Sequence, residues 1–137
     1  SIFKIVDLDE AWAFLNVAQG ETLSNKLVRA GRAMQAGVYF VPQSAYDVSK
    51  ESLKTNIGLK FAFRSTDTNE IKQTLEFFGL DSEDENNQKR LRDLENGQCL
   101  MQDLYGRVGV VQIHPVFVEL LHAFDTRPPI KSEVDLE

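Results

Sequence analysis

Cysteine is nearly absent from this sequence. Cys99, alone among 137 residues, cannot close an internal disulfide, and no Cys or Cys/His spacing of the zinc-binding kind occurs. The thiol reads as a small core residue of a protein kept in a reducing compartment. Histidine is almost as scarce: His114, before Pro115, reads as a helix cap and His122 as a helix-surface residue, neither with partners at metal-ligand spacing. No apolar run reaches the roughly 20 residues that a membrane-crossing helix needs. Positive charge is in deficit, with 15 Lys and Arg against 21 Asp and Glu for a net charge of −6. That balance excludes a generic polyanion-binding surface, since nucleic-acid affinity rests on cations displacing counterions. A local basic stripe is still allowed. There is no Gly-x-Ser-x-Gly or comparable nucleophile motif, no internal repeat and no low-complexity segment.

What is present is the pattern of one layered domain. Residues 2–8 are mostly apolar and β-prone, and predict a buried strand. A short helical start follows at 11–15, Gln19 and Gly20 interrupt it, and a longer helix is expected over 23–36 with Gly37 as its stop. Leu23, Leu27, Ala30 and Met34 would face inward there, while Lys26, Arg29 and Arg32 form a basic stripe outside. A second strand is expected at 38–41, ended by Pro42, then short helical turns at 44–49 and 52–56, and a third strand at 59–63. Asp67 with Glu70 makes a capping box for a helix bearing Ile71, Leu75 and Phe78 and closed by Gly79. Ser82 with Glu85 is expected to cap the next helix, whose acids lie first and whose Lys89, Arg90 and Arg92 lie last, as the helix dipole favours. Residues 98–113 read as a β-hairpin turning at Tyr105-Gly106, and Pro115 as the opening of a last helix. Strands alternating with helices predict an α/β layered fold, its sheet mostly parallel with a late antiparallel hairpin.

The strongest local signal is the acidic end of the first strand, Asp7-Leu8-Asp9-Glu10, because ligands gather at strand carboxyl ends in α/β sheets. Three readings fit it. In a Walker B segment Asp9 would help to hold Mg²⁺ and Glu10 would orient and deprotonate an attacking water. In an Asp-x-Asp phosphatase Asp7 would be the nucleophile and Asp9 the acid/base, although that pattern expects Thr or Val where Ala11 stands. In the plainest reading the acids only cap the following helix.

Asp-Glu-Ala-Trp at 9–12, the basic helix from Lys26 to Arg32, and Phe40-Val41-Pro42-Gln43-Ser44 together resemble the RecA-like ATPases of conjugative DNA transfer and type IV secretion. Those proteins follow the acidic box with an Arg-rich helix and a strand ending in Thr-Gln-Ser. Here Pro42 replaces the Thr, and Lys4 and Asp7 interrupt the apolar strand. The stretch from Gly97 to Gly109 is similar to versions from Gram-positive mobile elements. The resemblance implies a partial RecA-like, P-loop NTPase fold over residues 1–125, cut before Walker B; residues 126–137, Pro-rich and charged, are expected to be a loose tail. It assigns Gln43 to the sensor of the γ-phosphate or its water. Arg29 and Arg32 would supply a finger acting across a subunit boundary, with Arg64 a weaker candidate and Arg107 set aside. It further implies a hexameric homo-oligomer at the cytoplasmic face of the membrane, other secretion-channel proteins as partners, and DNA or protein as cargo.

No Gly-x-x-x-x-Gly-Lys-[Ser/Thr] occurs anywhere. The backbone amides, lysine and hydroxyl of a phosphate loop are therefore missing together. ATP and Mg²⁺ are expected as cofactors of a longer parent protein, and the chain by itself is expected to be inactive. Two other classes stay open, a non-catalytic α/β interaction domain and the small phosphatase using Asp7 and Asp9. The strand at 38–41 is also expected to lack its inner neighbour. Pairing with residues 59–63, a strand borrowed from a second copy to give a dimer, or an exposed edge would each answer that lack.

Overall fold

Alternation of β-branched and acidic residues shapes the first strand, β1 (Lys4–Asp9), with Val6 and Leu8 turned inward and Ile5, Asp7 and Asp9 exposed. The computed structural model describes residues 2–48, 51–123 and 125; within them the side chains of Trp12, Phe14, Arg32, Glu51 and Ser52 lie outside the description. The expected tail at 126–137 also lies outside it. β1 pairs in parallel with β2 (Ala36–Val41), in register from Lys4 opposite Ala36 to Asp9 opposite Val41. A parallel pair needs a crossover, and α1 (Ala11–Leu15) and α2 (Ala18–Met34) provide it.

α2 differs from expectation at both ends. It starts before Gly20, which is buried inside it rather than breaking it, and it stops at Met34. Its seam is made of small residues, Gly20, Ser24 and Gly31, with Leu27 and Val28 partly covered; Leu23 and Met34, expected inside, are 47% and 49% exposed. The cause is a close approach of helix to strand: a Cβ on Gly31 would lie 2.7 Å from the carbonyl oxygen of Ala36. Gly37 is not the helix stop. Gln35 makes the reversal with φ of 50°, and Gly37 sits in β2, where the ring of Phe3 passes over it.

After a 3₁₀ turn (Ala45–Val48) and the short α3 (Glu51–Lys54) comes β3 (Lys60–Ala62). It runs antiparallel to β4 (Gln98–Gln102), which pairs antiparallel with β5 (Val108–Gln112). The expectation of a mostly parallel sheet is therefore corrected. Among the described residues the fold is mixed α/β with two sheets, a parallel pair β1-β2 and an antiparallel trio β3-β4-β5. β3 does not fill the ladder beside β2, and among the described residues β2 is paired with β1 alone.

α4 (Thr68–Phe77) follows its sequence signals. Asp67 is the N-cap and accepts the Glu70 N–H at 2.8 Å. At the other end Gly79 takes φ of 73°, and the Leu80 N–H reaches the Leu75 carbonyl at 2.9 Å. α5 (Glu85–Arg92) is capped by Asp84 rather than Ser82, because Asp84 directly precedes the first turn and accepts the Asn86 N–H. Ser82 instead donates to Glu76. The core gathers Leu15, Leu53, Ile71, Leu75 and Leu91, and Leu8 and Phe40 reach it from one face of the parallel pair. Cys99 is buried as expected, and desolvation raises its thiol pKa. α6 (Val118–Ala123) starts three residues after Pro115 and buries none of its side chains.

Candidate functional site

The parallel register decides which residues can act together. Asp9 lies opposite Val41 at the carboxyl ends of adjacent strands, so Glu10 on one chain segment and Pro42-Gln43 on the other leave the sheet side by side. Glu10 turns there with φ of 51°, a left-handed conformation that residues with a Cβ enter at a cost. Its N–H is taken by the Asp9 Oδ1 at 3.0 Å, and the Asp9 carboxylate is exposed. Asp7, two residues back, shares the exposed face with Asp9. No third His, Cys, Asp or Glu joins them in a metal-holding group among the described residues.

Gln43 is exposed, and its main chain is held on both sides. Pro42 fixes φ before it. After it, the Ser44 hydroxyl donates to Glu70 Oε2 at 2.6 Å and the Ala45 N–H donates to Glu70 Oε1 at 2.7 Å. The Ser44 oxygen also accepts the Tyr46 N–H at 3.1 Å. The capping-box reading of Glu70 is thus half right. Asp67 caps the helix, but the Glu70 carboxylate reaches across to a segment about 25 residues earlier instead of back to its own cap. Only the Asp67-Glu70 spacing pointed to this residue, and that spacing names a different partner.

The arginines stand elsewhere. A crossover helix returns along the sheet, so Arg29, eleven residues into α2, lies about 16 Å down the axis from its start at 1.5 Å per residue. It is exposed, as is Lys26, and Arg29 does not share the strand ends with Glu10 and Gln43 in one copy. The side chain of Arg32 lies outside the described residues. Arg64 is exposed in the segment after β3. Arg107 is committed to the β4–β5 turn: its Nε and Nη2 each lie 2.6 Å from Asp103 Oδ2, and its guanidinium sits over the Tyr105 ring. Desolvation raises the Asp103 pKa, but the hydrogen bonds from Arg107 and Tyr105 outweigh it and leave the carboxyl below its ordinary value.

At the strand ends the chain offers the exposed carboxylate of Asp9, a second carboxylate on a turn at Glu10 and the amide of Gln43. Mg²⁺ is ordinarily held by one or two carboxylates together with phosphate oxygens and water, so Asp9 fits such a role. The phosphate-cradling loop that completes such sites is not in this sequence.

A family model described as AAA-like domain matches residues 1–124. Among known proteins, the chain is 34% identical over 119 residues to the uncharacterized protein YddE of Bacillus subtilis (strain 168). The match covers 87% of this chain and 14% of that relative.

Proposed function

The chain belongs to the AAA-like domain family, and from that membership we propose that it is the downstream part of the ATPase domain of a conjugative-transfer or type IV secretion motor. The family supports an ATPase-related function; the motor, its cargo and its place at the cytoplasmic face of the membrane are our reading. One observation carries it. Asp9-Glu10 and Pro42-Gln43 emerge together from adjacent parallel strands, where an acidic box and a sensor amide must meet to act on one phosphate.

In this reading Glu10 takes a proton from the water that attacks the γ-phosphate. Gln43 donates from its amide nitrogen to a phosphate oxygen and accepts from the same water through its carbonyl. Asp9 would hold Mg²⁺ through water, and the ion would supply positive charge against the phosphate groups. Arg29, about 16 Å along α2 from its start, and Arg32 on the same helix serve the site of a neighbouring subunit in a homo-oligomer, which we take to be hexameric. Phosphate-loop residues from the rest of a longer protein complete the site; the chain spans 14% of the length of the relative it matches.

The test uses the full-length protein. Glu10→Gln is expected to bind ATP near normally and to lose about 10²–10⁴-fold in hydrolysis, the range of a general base. Mixed oligomers of Glu10→Gln with Arg29→Ala or Arg32→Ala subunits are expected to regain part of the activity. If hydrolysis survives Glu10→Gln undiminished, the reading is wrong; if no mixture recovers while the oligomers stay intact, the arginines do not act between subunits.

A further inference from the structure

α4 is held at both ends by side chains from outside it. At its start Glu70 takes one donor on each carboxylate oxygen, Ser44 Oγ at 2.6 Å and Ala45 N at 2.7 Å. These are short bonds to an ionised acceptor and therefore the stronger kind. The Ser44 hydroxyl has its polarity fixed, because its oxygen already accepts the Tyr46 N–H and its proton must go to Glu70. The helix N-terminus favours the negative charge at that place. At the far end Lys60 Nζ donates to the Phe77 carbonyl at 2.8 Å and Gln102 Nε2 to the Phe78 carbonyl at 2.9 Å. Lys60 and Gln102 are direct partners across the β3–β4 ladder, so the antiparallel sheet grips the end of the helix whose beginning grips the Gln43 turn. The 3₁₀ turn is seated from below as well, since Val48 is buried in the core.

We propose that Glu70 is a positioning residue for Gln43: its carboxylate fixes the Pro42–Ala45 turn against α4, so that the Gln43 amide stays beside the Asp9-Glu10 strand end. The proposal rests on the reading of those strand ends as a nucleotide site. Glu70 does not touch the reacting atoms; it sets where the sensor stands. A displaced sensor leaves phosphate binding by other groups intact and removes alignment of the attacking water, so the loss belongs to kcat and not to affinity.

The experiment pairs amide hydrogen exchange with ATPase kinetics on the full-length protein and its Glu70→Ala, Glu70→Gln, Ser44→Ala and Gln43→Ala variants. In Glu70→Ala, exchange over residues 42–48 is expected to rise about tenfold or more. kcat should fall about 10- to 100-fold while the ATP dissociation constant moves less than about twofold. Glu70→Gln keeps an acceptor oxygen and should recover part of kcat. In a Gln43→Ala background, Glu70→Ala should cost nothing further, because the residue it positions is gone. Should Glu70→Ala fail to fold, Ser44→Ala breaks the same clamp from the loop side and enters the same cycle. Unchanged exchange and kcat in the clamp variants, or losses that add in full to those of Gln43→Ala, overturn the proposal. Undiminished hydrolysis in Glu10→Gln would instead sink the nucleotide-site reading, and the role of Glu70 with it.

Discussion

Glu10 pays for its place with backbone strain. A residue with a Cβ held at positive φ costs about 1–2 kcal/mol, and Glu10, just past the end of β1, has φ of 51°. Glu10→Gly is accordingly expected to raise unfolding free energy by about 0.5–1 kcal/mol, the relief being partly offset by the freer unfolded chain. Glu10→Ala, which keeps the Cβ, should gain none of it. Urea midpoints of the three proteins check this, and in the full-length protein the glycine variant should be the more stable and the less active. Lys60 makes a second case. Burial lowers its pKa below 10.5, and the charge of Lys54 adds to the effect. Because the folded state then holds its proton less tightly than the unfolded chain, stability should rise with pH between the lowered value and 10.5. Unfolding curves at about pH 8 and pH 10 should show this rise, and Lys60→Met should flatten it.

Among the elements, α4 was legible in the sequence because every signal that specifies it is local. Asp67 as cap, Ile71, Leu75 and Phe78 at helical spacing, and Gly79 at the left-handed end all hold. The hairpin was legible for the same reason, although its connection runs over residues 103–107 with the turn stapled by Asp103 and Arg107. α2 was misjudged because its inward face is written in glycine and serine, which a search for large apolar residues passes over. Gly31→Ala tests that account. Alanine is the better helix former by about 1 kcal/mol, yet its Cβ would meet a fixed carbonyl oxygen at 2.7 Å. The expected outcome is a net loss of about 1–3 kcal/mol in the urea midpoint, as for other overpacked contacts. The partner of β3 could not be read, since β3 has apolar residues that suit either sheet and its choice rests on contacts nearly 40 residues away. That the strands leading to Glu10 and to Gln43 lie side by side is shown by their register, whereas the partners of Glu70 were not legible, because they are distant in sequence.

At the scale of the whole molecule, the parallel pair is covered on one face by the core, while on the other, among the described residues, Phe3 passes over Gly37 and large side chains stay exposed. Ile5, Tyr39 and Val41 are 61%, 56% and 50% exposed on that second face, and among the described residues β2 pairs with β1 alone. Sheets of this type are ordinarily covered on both faces. Residues 1–137 alone are therefore expected to associate as concentration rises, with light scattering as the measure, and Tyr39→Lys should shift them towards monomer without lowering the urea midpoint. The same sample is expected to bind ATP too weakly for isothermal titration at micromolar concentrations, for want of phosphate-loop amides. The doubly held α4 has its own consequence for how such a chain can change in length. Each residue inserted into a helix turns everything beyond it by about 100°. One extra residue between Glu70 and Phe77 would swing Glu70 away from Ser44 whenever Lys60 and Gln102 kept their carbonyls. Insertions and deletions are thus confined to the loops on either side, and the span from Glu70 to Phe78 is a ruler whose length the two sheets must share.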